Sequence, residues 1–556
     1  MINIKKLLLS SVLLLNLTIG GISYAKNDIR IIKPDVAVVT INQGKVQGYI
    51  HNGIFTYRGI PYATAERFEA PKKIENSNKT IIALKNGHIA PQNSFNPMDN
   101  VLFNGPLLTQ GDDCQNLNVW TPSISDNKKR PVMVWLHGGG HMAGSSMESY
   151  AYDGENLSKK GDIVVVSINH RLNAMGYLDL SEYGEKYKNS ANHGIMDIVV
   201  ALEWIRDNIS KFGGDPNNVT LFGESGGGAK ILTLMGTPAA KGLFHKAIVE
   251  SGAVEMMGMT LPKKETTKRV AELTLQNLGL TKNNVDKIKE LPFSQIEEAG
   301  NKALKQTAEE QKIPNLQGNG YGLNWAPTVD GNYIPADPVG DKFSDLAKDI
   351  PLIIGTNLTE WETIYAGLLA PDNLANAQKD NRNTWSEKEK IAKIKEKYGD
   401  KADKVLAEFK KAYPDRNIAD VLYVETFLRP RALKTARVKA EQKGAPVYMY
   451  VFTWDTPLLN GIPMSYHTSE IPFVMNNAKD YDVATGGGED AIKMADKMSQ
   501  AWINFARTGN PNVKGQPNWQ PYTRENGNTM IFDNNSKTVK NHDLELMKTL
   551  MPNYGF

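Results

Sequence analysis

The chain has 556 residues, of which 41% are apolar and 22% are charged. This balance is typical of a folded globular protein and excludes a disordered chain. Its 64 Lys and Arg against 61 Asp and Glu give a net charge of +3, without the basic excess of a nucleic-acid-binding protein. A single Cys excludes both an intramolecular disulfide and a structural zinc site built from several cysteines.

The first 25 residues have the pattern of a secretory signal peptide. Lys5 and Lys6 precede an apolar stretch over residues 7–22, and Ser23-Tyr24-Ala25 then gives a small-x-small cleavage site. A membrane anchor is the alternative, but the stretch is short for a spanning helix and is interrupted by an Asn and two Gly residues. We therefore predict that residues 1–25 are removed, that no stable membrane anchor remains, and that the protein is exported to the periplasm or the medium.

Short β-branched segments alternate with helical patterns in the rest of the chain. Residues 194–211, for example, carry apolar side chains at three- and four-residue steps, as an amphipathic helix does. This alternation predicts an α/β fold with a mostly parallel sheet covered by helices on both faces. The predicted strands are Val132–Leu136, Ile163–Ile168, Val219–Phe222, Ala247–Val249, Leu352–Ile354 and Val447–Phe452.

Two segments differ from this pattern. Residues 262–313 and 386–443 are rich in Lys and Glu at helical spacing, and we expect surface helices there, outside the sheet, in cap-like insertions. The sequence has neither a long Pro/Ser-rich linker nor a repeat at a solenoid period. We therefore predict that residues 26–556 form a single domain.

The segment Gly223–Gly227 indicates a nucleophile. It follows a predicted strand and precedes a helical run over residues 229–235, which is the context of the Gly-x-Ser-x-Gly elbow. Such a turn exposes its serine, here Ser225, above the sheet edge. A phosphate-binding turn is the alternative, but the glycine spacings of dinucleotide-binding and P-loop proteins are missing.

A second glycine-rich turn, His137-Gly138-Gly139-Gly140, follows another predicted strand. Glycines permit the backbone dihedrals that aim N–H groups into a site, so this turn is a candidate oxyanion loop. By itself the tetrapeptide is also compatible with an ordinary glycine turn.

A base and an acid are expected after the serine, in the order acid then histidine. The histidines after Ser225 are His245, His467 and His542. His245 lies too close to the serine to leave room for an acid, and His542 lies in a polar tail where we expect a solvated side chain. His467 follows a predicted strand and is the favoured base.

The acid is harder to assign. Glu360 follows a predicted strand through Gly-Thr-Asn and stands in the correct chain order. Glu250, Asp330 and Asp337 also precede His467, and spacing leaves them open.

At this point the sequence resembles the type-B carboxylesterase family, which also contains the cholinesterases. The resemblance runs from about Gly44 to Asp533 and implies an α/β-hydrolase fold without a metal or cofactor. The matching segments are Gly59–Ala63, Asp113-Cys114 with Leu117–Val119, Phe212–Pro216, Phe222–Ser225, Leu243-Phe244 with Ser251-Gly252, Pro327–Gly331 and Phe505–Pro511.

The resemblance also assigns roles to individual residues. It implies that Ser225, Glu360 and His467 form a catalytic triad, and that the N–H groups of Gly139, Gly140 and Gly226 form the oxyanion hole. The implied function is hydrolysis of a small-molecule carboxylic ester through an acyl-enzyme. An amide or a lactone as substrate, or a binding protein on a hydrolase scaffold, remains an alternative, and the oligomeric state stays open.

The sequence departs from the family at three points. The family usually has Ala where this chain has Gly226, so we expect a looser turn. It commonly pairs Cys114 with an upstream Cys, and none exists around Ala90–Gln92, so the loop 91–114 needs another form of closure. Residues 91–116 also contain no Trp, which disfavours a choline-binding site.

Several large side chains near the family's gorge segments are candidates for a substrate pocket, although core packing explains each of them equally well. They are Met142, Tyr321, Trp325, Trp361 and Tyr365.

Overall fold

A computed structural model describes residues 30–93, 105–253, 261–315, 320–365 and 373–556. The predicted signal peptide, residues 1–25, lies outside these ranges. Among the helices that the structure describes, none combines the length and the apolar character needed to cross a membrane.

The centre of the molecule is an eleven-stranded mixed sheet. Its strand order is β16-β15-β14-β13-β12-β11-β9-β10-β8-β4-β3, and the pairs from β10 to β15 are parallel. Two small sheets, β1-β2-β7 and β5-β6, accompany it. The strands are β1 (Val38–Ile41), β2 (Gly44–Gln47), β3 (Tyr49–His51), β4 (Ile54–Pro61), β5 (Ala63–Thr64), β6 (Lys72–Lys73), β7 (Thr80–Ile82), β8 (Asn116–Thr121), β9 (Arg130–Leu136), β10 (Val164–Ile168), β11 (Gly214–Glu224), β12 (Lys246–Glu250), β13 (Leu352–Asn357), β14 (Val447–Phe452), β15 (Thr529–Phe532) and β16 (Lys537–Val539).

Helices cover both faces of this sheet. They are α1 (Glu155–Gly161), α2 (Asn173–Tyr177), α3 (His193–Asn208), α4 (Gly226–Met235), α5 (Lys264–Asn277), α6 (Phe293–Gln311), α7 (Glu362–Tyr365), α8 (Leu374–Lys379), α9 (Glu387–Tyr398), α10 (Ala402–Ala412), α11 (Arg429–Glu441), α12 (Ile471–Val474), α13 (Asp482–Thr485), α14 (Glu489–Thr508) and α15 (Leu544–Leu550).

The six predicted strands all belong to the parallel part of the sheet, which β15, a strand that was not predicted, completes, and the predicted α/β fold is confirmed. Strands β9 to β14 are almost continuously buried, because helices pack on both of their faces. Strand β11 is longer than predicted and runs directly into the Ser225 turn. Because β11 to β15 are parallel, the loops that follow them emerge at one edge of the sheet, where ligands of such folds bind.

The expectation of surface helices is correct for only part of the Lys- and Glu-rich segments. Helices α5 and α6 pack on each other outside the sheet, but α11 packs on β13 and β14 and is mostly buried. Its charged residues are paired rather than solvated: Arg429 forms an ion pair with Asp543 at 2.9 Å, and Lys439 donates to the Lys348 carbonyl at 3.0 Å. Distant partners therefore convert a charged segment into a buried helix.

Hydrogen bonds close the base of the loop that contains Cys114. The Gln92 N–H donates to Gln110 Oε1 at 3.0 Å, and Gln110 Nε2 donates back to the Gln92 carbonyl at 2.9 Å. The Gln92 side chain also bonds both backbone groups of Gly144, accepting from its N–H at 2.7 Å and donating to its carbonyl at 3.1 Å. Cys114 is free and buried, and burial raises the pKa of its thiol. The loop is thus tied to the segment after Gly140 without a disulfide.

We expect Gln92→Ala to lower the free energy of unfolding by about 2 kcal/mol, because it leaves two buried backbone groups of Gly144 without partners. The urea midpoint of the purified protein measures this loss. The matched control is Gln110→Ala, which removes two half-buried bonds between an exposed side chain and the Gln92 backbone, where water can replace them, and should cost less than half as much. Equal losses in both variants would contradict this account of the closure.

Candidate active site

Ser225 lies in a strained turn between β11 and α4. Its backbone has φ 55° and ψ −123°, a conformation that non-glycine residues seldom adopt. Two hydrogen bonds hold the turn: the Ser225 N–H donates to the Glu250 carbonyl at 2.8 Å, and the Ser225 carbonyl accepts from Ala229 N–H at 3.1 Å. The turn places the serine at the carboxyl end of β11, as the elbow motif predicts.

Glycine at position 227 lets the turn touch the preceding strand. A Cβ atom added to Gly227 would lie 1.9 Å from the Leu136 carbonyl oxygen at the end of β9. Only a residue without a side chain allows this approach. The serine turn and the His137–Gly140 turn are therefore in direct backbone contact.

Gly226 makes a similar approach, which corrects the expectation of a looser turn. A Cβ atom at this position would lie 2.3 Å from the Gly140 carbonyl oxygen and 2.5 Å from the Gly140 nitrogen. The space that the alanine of other family members would fill is thus occupied by Gly140 itself. The absence of a side chain makes this turn tighter.

Gly226→Ala should therefore displace Gly140 and, in the ester hydrolysis expected from the sequence, lower kcat on a nitrophenyl ester by about 100- to 1,000-fold, since loss of one oxyanion donor has an effect of this order. Steady-state kinetics measure the change. Gly340→Ala is the matched control, because a Cβ atom at Gly340 meets no atom within 4 Å. An unchanged kcat in Gly226→Ala would show that the two turns separate in the working protein.

The His137–Gly140 turn presents backbone N–H groups beside Ser225. Gly139 and Gly140 have φ values of 77° and 63°, and the Gly139 carbonyl accepts from the N–H groups of Met142 and Ala143 at 3.2 and 3.1 Å. Because the peptide group is planar, this fixes the Gly140 N–H in the opposite direction. Among the described residues the N–H groups of Gly139, Gly140 and Gly226 have no acceptor, so they are available to a substrate oxygen.

The structure brings Glu360 and His467 together. His467 Nδ1 lies 2.6 Å from Glu360 Oε2, and the His467 N–H donates to the Glu360 carbonyl at 3.0 Å. The other oxygen of Glu360 accepts from Ser251 Oγ at 2.5 Å and from the Asn357 N–H at 2.6 Å. Both side chains are buried, so the imidazole is fixed in one orientation by a fully bonded carboxylate.

The hydroxyl of Ser225 forms no hydrogen bond with this pair in the structure. His467 Nε2 lies 3.1 Å from Glu224 Oε1, in a geometry too poor for a hydrogen bond, and Ser225 Oγ forms no hydrogen bond with the imidazole. Ser225 is 4% exposed. Serine–histidine hydrogen bonds are often long in ligand-free proteins and tighten when substrate binds.

Burial shifts the pKa values of both His467 and Glu360. It lowers the pKa of His467 well below its usual range, so the imidazole is neutral at neutral pH. Burial raises the pKa of Glu360, while its hydrogen bonds from Ser251 and Asn357 favour the charged form. A neutral imidazole is the form that accepts a proton from a hydroxyl group.

Three further carboxyl groups are buried around the pair, and the sequence did not predict them as a group. Glu224 precedes the serine, Glu250 accepts from Trp502 Nε1 at 2.7 Å, and Glu470 accepts from Asn357 Nδ2 at 2.6 Å. Burial and mutual repulsion raise the pKa of all three, that of Glu470 to about 7. Position 224 lies next to Ser225 and position 470 lies three residues after His467, but the sequence gives no sign that either side chain is buried.

The structure separates the candidates His245, Asp330 and Asp337 from the Glu360–His467 pair, and Glu250, although buried near the pair, bonds Trp502 rather than His467. His245 accepts from the Val219 N–H at 3.1 Å, and Asp330 and Asp337 bond to backbone N–H groups of their own loops. The expected solvation of His542 is wrong: its ring is buried and packs edge-on against Tyr413, with the ring centres 4.8 Å apart.

The five candidate pocket residues have different environments. Trp361 packs on His467 with the ring centres 4.1 Å apart. Met142, which is 41% exposed, follows the His137–Gly140 turn. Trp325 is a core residue that fills the space beside Gly300 on α6. Tyr321 is 48% exposed, and the side chain of Tyr365 lies outside the described residues. In the part of the chain that the structure describes, no His, Cys, Asp and Glu side chains are grouped as metal ligands.

The sheet, the serine elbow and the Glu–His pair are those of an α/β-hydrolase. The model of the Carboxylesterase family matches residues 35–548, and the chain belongs to this family. This confirms the resemblance found in the sequence.

Relatives of known activity cover almost the whole chain. Para-nitrobenzyl esterase of Bacillus subtilis is 34% identical over 528 residues, which are 93% of this chain and 99% of the relative. Phenmedipham hydrolase of Pseudarthrobacter oxydans is 29% identical and covers 89% of this chain and 95% of its own. An esterase of Clostridium hathewayi that can hydrolyse aliphatic aromatic polyesters has a structure similar to this one, with a TM-score of 0.84, 34% identity and coverage of 94% and 99%. The protein is accordingly a carboxylic ester hydrolase.

Proposed function

We propose that this esterase acts through an acyl-enzyme on Ser225, with His467 as general base and Glu360 as the acid that orients it. The observation that carries the proposal is the 2.6 Å contact between His467 Nδ1 and Glu360 Oε2 beside the strained Ser225 turn. An imidazole held by a carboxylate at one nitrogen keeps the other nitrogen free to accept a proton.

Acylation begins when Ser225 Oγ attacks the carbonyl carbon of the ester. His467 Nε2 takes the hydroxyl proton, and the negative charge of Glu360 stabilises the imidazolium that forms. The carbonyl oxygen becomes an oxyanion and accepts hydrogen bonds from Gly139, Gly140 and Gly226. The C–O bond to the alcohol then breaks, and His467 returns its proton to the leaving oxygen.

Deacylation repeats these steps with water. His467 removes a proton from the water as it attacks the acyl carbon, and the same N–H groups bind the second oxyanion. Collapse of this intermediate breaks the bond between the acyl carbon and Ser225 Oγ and releases the carboxylic acid. His467 returns its proton to Oγ, which restores the Ser225 hydroxyl. The chemistry requires neither a metal nor an organic cofactor.

The substrate that we propose is a small-molecule ester with an aromatic group. Trp361 and Met142 provide an apolar surface next to His467 and the His137–Gly140 turn. The names of two relatives, a para-nitrobenzyl esterase and an esterase of aliphatic aromatic polyesters, support the same class.

A panel of 4-nitrophenyl esters with acyl chains of two to eight carbons, together with the 4-nitroanilides of the same acids, tests this function. We expect every ester to be cleaved with a kcat/KM at least about 100-fold above that of the matching anilide, because an alcohol leaves more readily than an amine. Faster cleavage of the anilides would identify an amidase instead. An absence of cleavage in the whole panel would favour a binding protein.

We also propose that residues 1–25 direct export and are then removed. The Lys5-Lys6 pair, the apolar stretch and the cleavage site at Ala25 support this proposal. The intact mass of the protein from the periplasm and the medium of the producing cells tests it. We expect a chain that begins at Lys26, and a chain that retains Met1 to Ala25 in the membrane fraction would contradict export by cleavage.

A further inference from the structure

Lys230 is a fully buried lysine close to the His137–Gly140 turn, which we call the oxyanion turn. It lies on α4, five residues after Ser225, and is 0% exposed. Its ammonium donates a hydrogen bond of 2.9 Å to the carbonyl oxygen of His137. It forms no ion pair with an Asp or Glu of the described residues. Burial of a cation without a paired anion is costly, so the position calls for a role other than stability.

The acceptor of this bond is the first carbonyl of the oxyanion turn. His137 directly follows the end of β9, and three glycines with wide conformational freedom come after it. Lys230 fixes the carbonyl at the start of the turn, and Met142 and Ala143 fix the Gly139 carbonyl two residues later. The turn is thus held on both sides of the first glycine.

Among the described residues no anion is hydrogen-bonded to Lys230, and most of the ionisable groups around it are neutral. The rings of His137 and His170 stack with their centres 5.0 Å apart, and burial lowers the pKa of both, as it does that of His141. These imidazoles are therefore neutral. Glu148 is the acid whose charge raises the pKa of Lys230, whereas burial, the larger effect, lowers that pKa to about 7.

We propose that Lys230 is a positioning residue of the oxyanion hole: it anchors the His137 carbonyl at the start of the glycine turn and thereby holds the N–H groups that bind the oxyanion. The inference rests on the proposed function, since it needs an oxyanion formed by attack of Ser225. In the ground state the ester oxygen carries little charge. Lys230 should consequently favour the tetrahedral intermediate over the bound substrate.

The test compares the full-length protein with its Lys230→Met variant, which keeps the length of the side chain but loses the charge and the hydrogen bond. We expect kcat on a nitrophenyl ester to fall about 10- to 100-fold with KM within about threefold, a smaller loss than the removal of an oxyanion donor itself causes. An aryl trifluoromethyl ketone, which forms a tetrahedral oxyanion with Ser225, should lose affinity by the same factor. The corresponding alcohol, which cannot form this adduct, should bind unchanged.

A purely structural lysine would give another pattern. The ketone and the alcohol would then lose affinity together, or kcat would stay within twofold of the wild-type value, and either result overturns the proposal. The matched control is Thr233→Val, which removes a buried hydrogen bond to the Ala229 carbonyl on the same helix and should change neither inhibitor.

A second variant of Lys230 and a labelling experiment complete the test. If Lys230→Met does not fold, Lys230→Gln, whose side chain is polar but one atom too short to replace the bond to the His137 carbonyl, must show the same selective loss for the ketone. Labelling of the wild-type protein with a fluorophosphonate reports on the proposed function separately. Wild-type protein that is not labelled refutes the Ser225 mechanism, whereas labelled wild-type protein with an unaffected Lys230→Met variant refutes only the role of Lys230.

Discussion

Ser225→Ala is expected to lower kcat on nitrophenyl esters about 10⁵-fold, with little change in KM. The substitution removes the only atom that attacks the carbonyl in the proposed mechanism, while the N–H groups of Gly139, Gly140 and Gly226 still bind the ester. The remaining rate is that of water attack assisted by the oxyanion hole, as in other enzymes without their nucleophile. Steady-state kinetics on freshly purified protein measure the loss.

The matched control is Ser251→Ala. Ser251 is also a buried serine of the site, but its hydroxyl donates to Glu360 Oε1 and is directed away from substrate chemistry. Its loss removes one hydrogen bond from a carboxylate, and we expect less than about a 100-fold effect on kcat. Retention of more than 1% of the wild-type rate by Ser225→Ala would remove Ser225 from the mechanism.

Glu360→Gln is expected to lower kcat about 10³- to 10⁴-fold, the second largest effect. Two donors, Ser251 Oγ and the Asn357 N–H, bind one oxygen of Glu360, so the glutamine carbonyl must take that place. Its NH₂ group then faces His467 Nδ1, which can no longer carry a proton. The imidazole shifts to the tautomer with the proton on Nε2 and cannot accept one from Ser225.

Glu470→Gln is the control for this substitution. Glu470 is equally buried and bonds the side chain of Asn357, but it does not bond the imidazole. We expect its kcat within about tenfold of the wild-type value. If both variants lose activity equally, the buried carboxyl groups act only through their summed charge, and the assigned role of Glu360 is wrong.

Much of the fold could be predicted because its signals are local. Each predicted parallel strand contains a short, largely apolar segment, since both faces of the sheet are covered, and the elbow serine directly follows β11. Burial that depends on distant partners could not be predicted. The local sequence around Arg429 predicts a surface residue, because its ion-pair partner Asp543 follows only 114 residues later.

The candidate site could likewise be predicted only where its signals are local. The elbow, the glycine turn and the histidine order predict Ser225, the His137–Gly140 turn and His467 from short patterns, and the family resemblance adds Glu360 as the predicted acid. The contact between Gly226 and Gly140 and the bond from Lys230 to His137 join segments far apart in the chain. A single sequence records that these residues are small or charged, but not which backbone atoms they approach.

The most direct test of the Ser225–His467–Glu360 mechanism is peptide mass spectrometry after reaction with a fluorophosphonate. The mechanism predicts one label per chain, on the peptide that contains Ser225, with a labelling rate at least about 100-fold lower in Glu360→Gln and no label in Ser225→Ala. A wild-type protein that hydrolyses esters while its Ser225 peptide remains unlabelled would contradict it.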